Sequence, residues 1–424
     1  MPEPDLNLDQ WLRRLEARHP VEIELGLERI AAVARRLRLG TIASRVVVVA
    51  GTNGKGSCVR TLEACALAAG LRVATYTSPH LLRYNERVRI GAVEVADESF
   101  CDAFAHIEAA RGETPLTYFE VGTLAALWLM AGEDLDLAVL EVGLGGRYDA
   151  VNIVDGDLAI VTAIDLDHTH WLGDSREAIA LEKAGIARAH RPVVCADPNP
   201  PATLVNYVAQ LPAPCYRLGG EFGAREEGAT VTLQYVGAKG EPRLYRGLPK
   251  PQLPLASVAA AVQGLALLGT ELSASQLERV FAGLQLPGRY QKLQLNHRQI
   301  ILDVAHNPAA ASYLADRLAS EPGPVNCVAA IMADKDLAGF VSALAVTVDH
   351  WYVGDLGAVT RALGGVHFAG LLSSLGCRHT QLATVEDAFD AALSATPRGA
   401  TLAVCGSFFT VSAVIAHIGR HYDL

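Results

Sequence analysis

Short apolar runs alternate with helical patterns along the first half of the chain. The runs have the length of buried strands, are rich in aliphatic and β-branched residues, and cover 46–50, 72–76, 137–142, 158–164 and 192–196. Between them, 58–69 and 120–131 have the clearest helical patterns. Because such alternation is typical of parallel strands joined by crossover helices, the sequence predicts a mostly parallel sheet with helices on both faces.

The alternation of strand-like and helical segments is interrupted in the second half of the chain and then resumes. A more polar stretch at 216–246 contains ATVTLQYV, which alternates like a small antiparallel strand, and helical patterns follow at 257–268 and 275–284. After LPGR, strand-like segments return, each followed by a helical pattern: QIILDVAH, VNCVAAIMA, HWYVGDL and ATLAVCGSF. We therefore predict a P-loop-type α/β domain over 1–288 and a second, smaller Rossmann-like α/β domain over 296–424.

Composition is consistent with two cores and narrows the class of partner. The 424 residues are 50% hydrophobic and 19% charged, which can supply two sizeable interiors. A formal net charge of −10 disfavours non-specific binding to nucleic acid. The eight cysteines form no CxxC pair and lie mostly in apolar segments, as expected for buried thiols in a reducing cytoplasm.

No segment predicts export or membrane insertion. The N-terminus, MPEPDLNLDQWLRR, has acidic residues where a secretory signal needs a basic start and an apolar middle. Two nearly uncharged runs, 251–270 and 399–418, are long enough to span a bilayer, but glutamine, proline, serine and histidine interrupt them. We interpret both as buried helix or strand-plus-helix segments of a cytoplasmic protein that does not bind a membrane.

The string VVVVAGTNGKGS, 46–57, predicts a phosphate-binding turn between a strand and a helix. Its glycines let backbone NH groups point inward, Lys55 can reach the β- and γ-phosphates, and the Ser57 hydroxyl can approach Mg2+. The strict P-loop pattern has glycine where this chain has Val49, and it has no residue equivalent to Gly56 between the lysine and the hydroxyl. A glycine-rich turn without nucleotide is the alternative. The candidate ATP-binding residues here are Thr52, Asn53, Gly54, Lys55, Gly56 and Ser57.

Candidate metal ligands follow later strands of the same predicted sheet. Open parallel sheets bind ligands beyond the carboxyl ends of their strands. Glu141 ends the third run, and His168 lies in DLDHTHWLG after the fourth. A carboxylate and a neutral imidazole among acidic residues make a metal site plausible, although a loop salt bridge and a hydrogen-bonded loop histidine are the ordinary alternatives.

Several motifs together resemble one enzyme family. In chain order they are GTNGKGS, TSPHL, LTYFE, EVGLGGRYDAVN, LDHTHWLG, EKAGI, LPGRY and DVAHNP. This set resembles the folylpolyglutamate synthase/dihydrofolate synthase family of the Mur ligase superfamily. The resemblance runs from LGLERI, near residue 25, to CGSF near the C-terminus, so it covers nearly the whole chain.

The resemblance implies an ATP-dependent carboxylate–amine ligase. Such an enzyme joins L-glutamate to dihydropteroate and adds γ-linked glutamates to reduced folates through an acyl phosphate. A carboxylate is a poor electrophile, and phosphorylation by ATP supplies a leaving group that the glutamate amine can displace. The expected protein is a monomer whose partners are these small molecules and ATP. A monofunctional folylpolyglutamate synthase is the alternative.

The resemblance also implies a metal set and a modified lysine. Ser57, Ser78, Glu141, His168 and Lys183 match the metal ligands, which predicts two Mg2+ sites, and a monovalent cation such as K+ is also compatible. In this family the lysine matching Lys183 is carbamylated, which converts a cation into an anionic ligand. Without the family, Lys183 is read more simply as a helix lysine beside Glu182. Lys55, His168 and Lys183 are the predicted catalytic residues.

Further matches concern the nucleotide and the pterin. Arg289 and Asp303 resemble residues that reach ATP, and Thr117, Phe119 and Asp149 resemble the pterin contacts, with ordinary core packing as the alternative for Phe119. Ser257 stands where relatives commonly have asparagine. Serine retains a hydroxyl but lacks the second hydrogen-bonding group of an amide, which weakens this adenine-side prediction.

Other nucleotide-binding classes fit less well. Cell-wall Mur ligases have a UDP-binding domain before the P-loop, and the residues ahead of Gly51 are too few for it. A P-loop switch GTPase needs an NKxD guanine motif, which the sequence lacks. A dinucleotide-dependent dehydrogenase needs GxGxxG after its first strand, where this chain has GTNGKGS.

Overall fold

The computed structural model describes residues 6–18, 23–357, 359 and 361–422. The chain divides into two compact units, 1–284 and 285–424. The strand at 291–295, which is polar in sequence, pairs within the second sheet. Over the described residues no helix is long and apolar enough to cross a membrane.

The first unit is built on an eight-stranded, mostly parallel sheet in the order β4-β3-β2-β5-β1-β6-β7-β8. Its strands are β1 (Arg45–Ala50), β2 (Val73–Tyr76), β3 (Val88–Ile90), β4 (Val93–Glu94), β5 (Leu137–Glu141), β6 (Leu158–Val161), β7 (Val193–Cys195) and β8 (Cys215–Arg217). Only the pairs β2–β3 and β3–β4 are antiparallel. The central strand β1 lies between β5 and β6, with all its residues after Arg45 buried.

Helices cover this sheet, and a small second sheet lies beside it. The helices are α1 (Leu8–Arg18), α2 (Glu28–Leu37), α3 (Lys55–Ala68), α4 (Asp97–Arg111), α5 (Tyr118–Ala131), α6 (Thr169–Leu172), α7 (Arg176–Ala184), α8 (Ala202–Gln210), α9 (Leu255–Leu267) and α10 (Ala274–Gly283), with 3-10 turns at Tyr84–Arg87 and Ala150–Ile153. The antiparallel sheet β11-β10-β9 contains β9 (Gly223–Glu227), β10 (Thr230–Val236) and β11 (Pro242–Pro249). Its middle strand is the predicted ATVTLQYV segment.

The second unit contains a six-stranded sheet in the order β12-β13-β17-β14-β15-β16. The strands are β12 (Gln291–Leu295), β13 (Arg298–Leu302), β14 (Val325–Ala329), β15 (His350–Asp355), β16 (His379–Thr384) and β17 (Thr401–Cys405), and all pairs except β12–β13 are parallel. The helices are α11 (Pro308–Leu318), α12 (Leu337–Leu344), α13 (Gly365–Ser374), α14 (Val385–Ala395) and α15 (Phe408–His421). The predicted fold class, two α/β units with the larger first, is confirmed.

Both membrane-length apolar runs are internal segments, as predicted. The first run contains α9, most of which is buried within the first unit, and the second run contains β17 followed by α15. The eight cysteines are free thiols. Continuous apolar runs of this kind are what a strand or helix needs when it is covered on more than one side.

Candidate active site

The glycine-rich turn lies between the end of β1 and the start of α3. Gly51 and Gly54 have φ angles of +151° and +91°, and a Cβ atom at either position would overlap the Oγ atom of Thr162 or Ser257, respectively. Glycine is required here by both backbone angle and space. The helix begins at Lys55, earlier than the predicted Cys58, because Gly54 serves as its left-handed N-cap. Lys55, Gly56 and Ser57 therefore form its first turn, where backbone NH groups are available to an anion.

The predicted phosphate-binding residues are brought together in this turn. Lys55 Nζ donates to the carbonyl oxygens of Gly51 at 3.1 Å and Thr52 at 3.4 Å, so the lysine folds back over the loop. The Thr52 hydroxyl exchanges hydrogen bonds of 3.0 Å with the backbone of Asp165, which ties the turn to the loop after β6. Asn53 forms a bridge with Ala163 in that loop.

Ser57 carries the clearest sign of a ligand. Its side chain is 1% exposed, and its hydroxyl has no hydrogen-bond partner among the described residues. An unsatisfied buried hydroxyl costs about 1–3 kcal/mol, so native proteins rarely leave one without a reason. The chemistry of this oxygen, beside a helix N-terminus and a lysine, fits a phosphate-bound divalent cation.

Glu141 ends one of the two strands that flank β1, and His168 lies in the loop that follows the other. Glu141 is the last residue of β5, is buried, and is paired in register with Val49 of β1. Burial is the main cause that raises the pKa of the Cys58 thiol, and the negative charge of Glu141 is the second. Glu141 therefore lies near the start of α3. His168 adopts a left-handed backbone conformation, φ +50°, before α6, and its Nε2 lies 4.0 Å from Asp167 Oδ2.

An ion pair that the sequence did not reveal holds the loop carrying His168. Asp197 Oδ2 accepts the backbone NH of Ile164 at 2.7 Å, and Arg176 Nε donates to the Ile164 carbonyl at 2.9 Å. Arg176 also binds both oxygens of Asp197 at 3.1 Å. Because the partners come from α7 and the residues after β7, only the fold brings them together.

Lys183 is buried rather than displayed on a solvated helix face. It is 3% exposed, and burial, reinforced by the charge of Lys55, lowers its pKa to about 7, whereas Asp167 and Asp149 oppose the shift. Gly146 allows this placement, since a Cβ atom there would lie 2.8 Å from the Glu182 carbonyl oxygen and 3.1 Å from the Cα of Lys183. An uncharged amine in such a position is a nucleophile.

The other predicted metal ligand, Ser78, follows β2 in a half-buried loop with a cis peptide bond to Pro79. Among the described residues, no group of three histidine, cysteine, aspartate or glutamate side chains is arranged to hold a metal ion. The predicted set contains only two such side chains, Glu141 and His168. Its remaining members are the hydroxyls of Ser57 and Ser78 and the side chain of Lys183.

Two of the three predicted pterin residues, Phe119 and Asp149, lie at the glycine loop after β5. Phe119 is half-buried, and a Cβ atom at Gly143 would lie 2.5 Å from its Cζ. Asp149 is 2% exposed and accepts the backbone NH groups of Leu144 at 2.8 Å and Val151 at 3.0 Å, so it also shapes the loop. Burial raises its pKa to about 6, against the pull of these bonds and of Lys55.

Thr117 is the N-cap of α5. Its hydroxyl accepts the Glu120 NH at 3.1 Å, and the Glu120 carboxylate accepts the Thr117 NH at 2.8 Å, a reciprocal capping box. Arg29 Nη2 of α2 donates to Glu120 Oε1 at 3.2 Å. The motif LTYFE thus has a structural reason, helix initiation, in addition to any contact with substrate.

Two predicted nucleotide residues belong to the second unit. The Arg289 guanidinium lies 4.8 Å from the centre of the Phe408 ring. Asp303 follows β13 and accepts the NH groups of Tyr290 and Ala305 at 2.8 Å each. Burial raises the pKa of Asp303, while the charge of Arg289 opposes that rise. Ser257 belongs to the first unit, where it is buried at the start of α9 against Gly54.

The central strand of a parallel sheet ends at a glycine-rich turn, and the first turn of the next helix carries a lysine and a buried hydroxyl without a partner. These features define a nucleotide-binding α/β protein. Comparison with known proteins gives the particular family. A family description, the glutamate ligase domain of Mur ligases, matches residues 288–408. The dihydrofolate synthase/folylpolyglutamate synthase of Escherichia coli K12 is 42% identical over 98% of this chain and 96% of its own length.

Solved structures agree along the whole length. E. coli FolC in complex with DHPP and ADP superposes with a TM-score of 0.93 at 42% identity, covering 99% of both chains. A bifunctional folylpolyglutamate synthase/dihydrofolate synthase with Mn, AMPPNP and L-glutamate bound gives a TM-score of 0.90 at 44% identity, covering 98% of both chains. The chain belongs to the dihydrofolate synthase/folylpolyglutamate synthase family, whose members are ATP-dependent glutamate ligases. The predicted family and enzyme class are confirmed.

Proposed function

We propose that the chain joins L-glutamate to dihydropteroate with ATP and also adds γ-linked glutamates to reduced folates. Full-length identity of 42% with an enzyme named for both activities supports the pair of reactions. The observation that carries the proposal is the turn at Gly51–Ser57, where Lys55 and the unpartnered Ser57 hydroxyl can bind the phosphates of a nucleotide and its metal ion. The monofunctional alternative differs only in which acid is accepted.

The chemistry requires positioning and charge neutralisation rather than an enzyme nucleophile. The substrate carboxylate attacks the γ-phosphorus of ATP and forms an acyl phosphate as ADP leaves. The glutamate amine then attacks the acyl carbon and phosphate departs. Lys55 is suited to neutralise charge on the phosphoryl group during transfer, and the NH groups of the first turn of α3 hold the phosphates.

Divalent metal is the second source of positive charge. Ser57, Ser78, Glu141 and His168, with Lys183 as a carbamate, are the residues that would hold two Mg2+ ions, and these ions would neutralise phosphate charge. A related enzyme was crystallised with Mn, AMPPNP and L-glutamate. Binding of a monovalent cation such as K+ is also part of this proposal.

The burial of Lys183 supports the proposal that it is carbamylated. A protonated lysine buried near Lys55 would add repulsion to a cation-binding site, whereas its lowered pKa, about 7, makes the neutral amine available to CO2. The resulting carbamate is an anion with two oxygen atoms. Asp149, Asp167 and Glu182 favour the protonated amine electrostatically, so these acidic surroundings suit a carbamate only when divalent cations lie between the anions.

The remaining predicted residues are assigned to the substrates. Phe119 offers a ring face, Asp149 a carboxylate and Thr117 a hydroxyl to the pterin. We assign Ser257 to the adenine side of ATP, and Arg289 and Asp303 to the nucleotide from the second unit. The acid, the nucleotide and glutamate are the only partners proposed for a monomeric enzyme in the cytoplasm.

One assay separates the two activities. ADP release is measured with ATP and glutamate plus either dihydropteroate or tetrahydrofolate, and each reaction is repeated without glutamate. Glutamate-dependent release with both acids is expected. Release with tetrahydrofolate alone would identify a monofunctional folylpolyglutamate synthase. No glutamate-dependent release with either acid would contradict the proposal, and the Lys55→Met variant controls for contaminating ATPases.

A further inference from the structure

The turn Tyr84–Arg87, with sequence YNER, has no role in the site described so far. It connects the loop after β2, which carries Ser78, to strand β3, and three of its four residues are buried. Glu86 binds the preceding loop through three consecutive backbone NH groups, those of Leu81 and Leu82 at 2.6 Å and Arg83 at 2.7 Å. The turn therefore fixes the shape of the Ser78 loop.

Arg87 is an unusual residue to find inside this unit. Its side chain is buried, yet it forms no ion pair with a carboxylate among the described residues. Its Nε donates to His80 Nδ1 at 2.9 Å, and its guanidinium lies 5.1 Å from the ring centre of Tyr84 and 5.6 Å from that of Tyr118. A buried charge without a counter-ion is costly, and cation–π contacts offset only part of that cost.

The contacts of Arg87 join two parts of the proposed substrate site. His80 lies two residues after Ser78 in the loop that follows β2, whereas Tyr118 lies between Thr117 and Phe119 at the start of α5. The Arg87 carbonyl also accepts the NH of Thr77 at 2.8 Å, directly before Ser78. A leucine could fill the same volume without the charge, so packing alone does not explain the arginine.

We propose that Arg87 is a positioning residue for the acid substrate: it holds the Ser78 loop against the start of α5 through His80 and Tyr118. The proposal rests on the proposed function, because it takes Thr117 and Phe119 as pterin contacts and Ser78 as a metal ligand. Arg87 fixes the spacing between the two ends of the bound pteroate.

Steady-state kinetics of Arg87→Met and Arg87→Lys test this inference. For Arg87→Met we expect the KM for dihydropteroate to rise at least about tenfold and kcat to fall, with a clearly smaller rise in the KM for ATP, because Lys55 and the first turn of α3 hold the phosphates independently of the Ser78 loop. Arg87→Lys should be impaired nearly as much, because an ammonium cannot stack on two rings and present an Nε donor at the same time. The matched control is Arg83→Met. Arg83 lies in the same region, but its side chain is 65% exposed and its guanidinium forms only long ion pairs, of 3.9 Å each, with the carboxylates of Glu94 and Asp97.

A second pair of variants covers the case in which Arg87→Met does not fold. His80→Asn keeps an acceptor near the position of Nδ1, whereas His80→Ala removes it, so His80→Asn should bind dihydropteroate more tightly than His80→Ala in titrations without ATP. Equal effects on the KM for ATP and for dihydropteroate, full activity of Arg87→Lys, or indistinguishable His80 variants would overturn the inference. Failure of the proposed function would appear differently, as an inactive wild-type enzyme.

Discussion

Burial sets the ionisation of two residues of the candidate site, Asp149 and Lys183. The Asp149 pKa is raised to about 6 and the Lys183 pKa is lowered to about 7, so in both cases removal from water favours the neutral form. The two side chains also interact electrostatically with Lys55. Ionisation here depends on what surrounds each residue, which residue type alone cannot indicate.

The first prediction concerns pH. Asp149 loses its charge as the pH falls through about 6, so its carboxylate is no longer available to accept from the NH edge of a pterin. We therefore expect kcat/KM for dihydropteroate to fall as the pH drops below about 6 in the wild type. In Asp149→Asn, activity should be lower throughout, because the amide cannot accept both loop NH groups, and this inflection should disappear. An unchanged inflection in the variant would assign it to another group.

The second prediction concerns Lys183. Lys183→Ala should lose about 100-fold or more in kcat, the scale typical of damage to a metal-binding shell, and acetate or formate should restore part of it by supplying an oxygen anion. Lys250→Ala is the control, since Lys250 directly follows β11 and pairs with exposed Glu226. An unimpaired Lys183→Ala variant would remove the carbamate role.

At the scale of elements, α5 shows how one motif serves two purposes. Its capping box, Thr117 with Glu120, is anchored to α2 by Arg29, so the start of the helix is fixed independently of any ligand. The residues proposed to meet the pterin therefore stand on a rigid support. Substrate contacts placed in this way need little ordering when the ligand binds.

The third prediction separates the cap from the contact. Thr117→Ala should lower the free energy of unfolding by about 1 kcal/mol through loss of the N-cap, whereas Thr117→Ser should retain most of that stability. The measurement is chemical denaturation followed by circular dichroism. Equal stability of the alanine and serine variants would show that the cap contributes nothing measurable.

Element prediction from the sequence succeeded where hydrophobic periodicity was strong. The predicted run at 137–142 corresponds to β5 at Leu137–Glu141, and the helix at 275–284 corresponds to α10 at Ala274–Gly283. The β3–β4 hairpin was not predicted, because its strands are short and its turn residues, Gly91 and Ala92 with φ angles of +59° and +66°, lack the usual asparagine–glycine signal. Periodicity cannot register strands of two or three residues.

At the scale of the whole molecule, ligand binding should be visible as stability. A nucleotide that binds only the folded chain stabilises it by about 2.7 kcal/mol at a hundred times its Kd. For a protein of this size we expect Mg-ADP to raise Tm by several degrees, measured by differential scanning calorimetry, and Lys55→Met to abolish most of that shift. The variant alone should melt within about 2 °C of wild type, because Lys55 makes loop contacts rather than core contacts. No shift in the wild type would contradict nucleotide binding.

The sequence by itself determined the two α/β units, the central strand leading into GTNGKGS, and the order of motifs that marks the family. These features are local or periodic, so they can be recognised before any tertiary contact is known. Only the tertiary structure decided that the Ser57 hydroxyl is left without a partner, that Lys183 is buried, and that Arg176 meets Asp197 and Arg87 meets Tyr118. The physical reason is that burial and hydrogen-bond partners depend on residues brought together from separate strands and helices, whose pairing no single stretch of sequence contains.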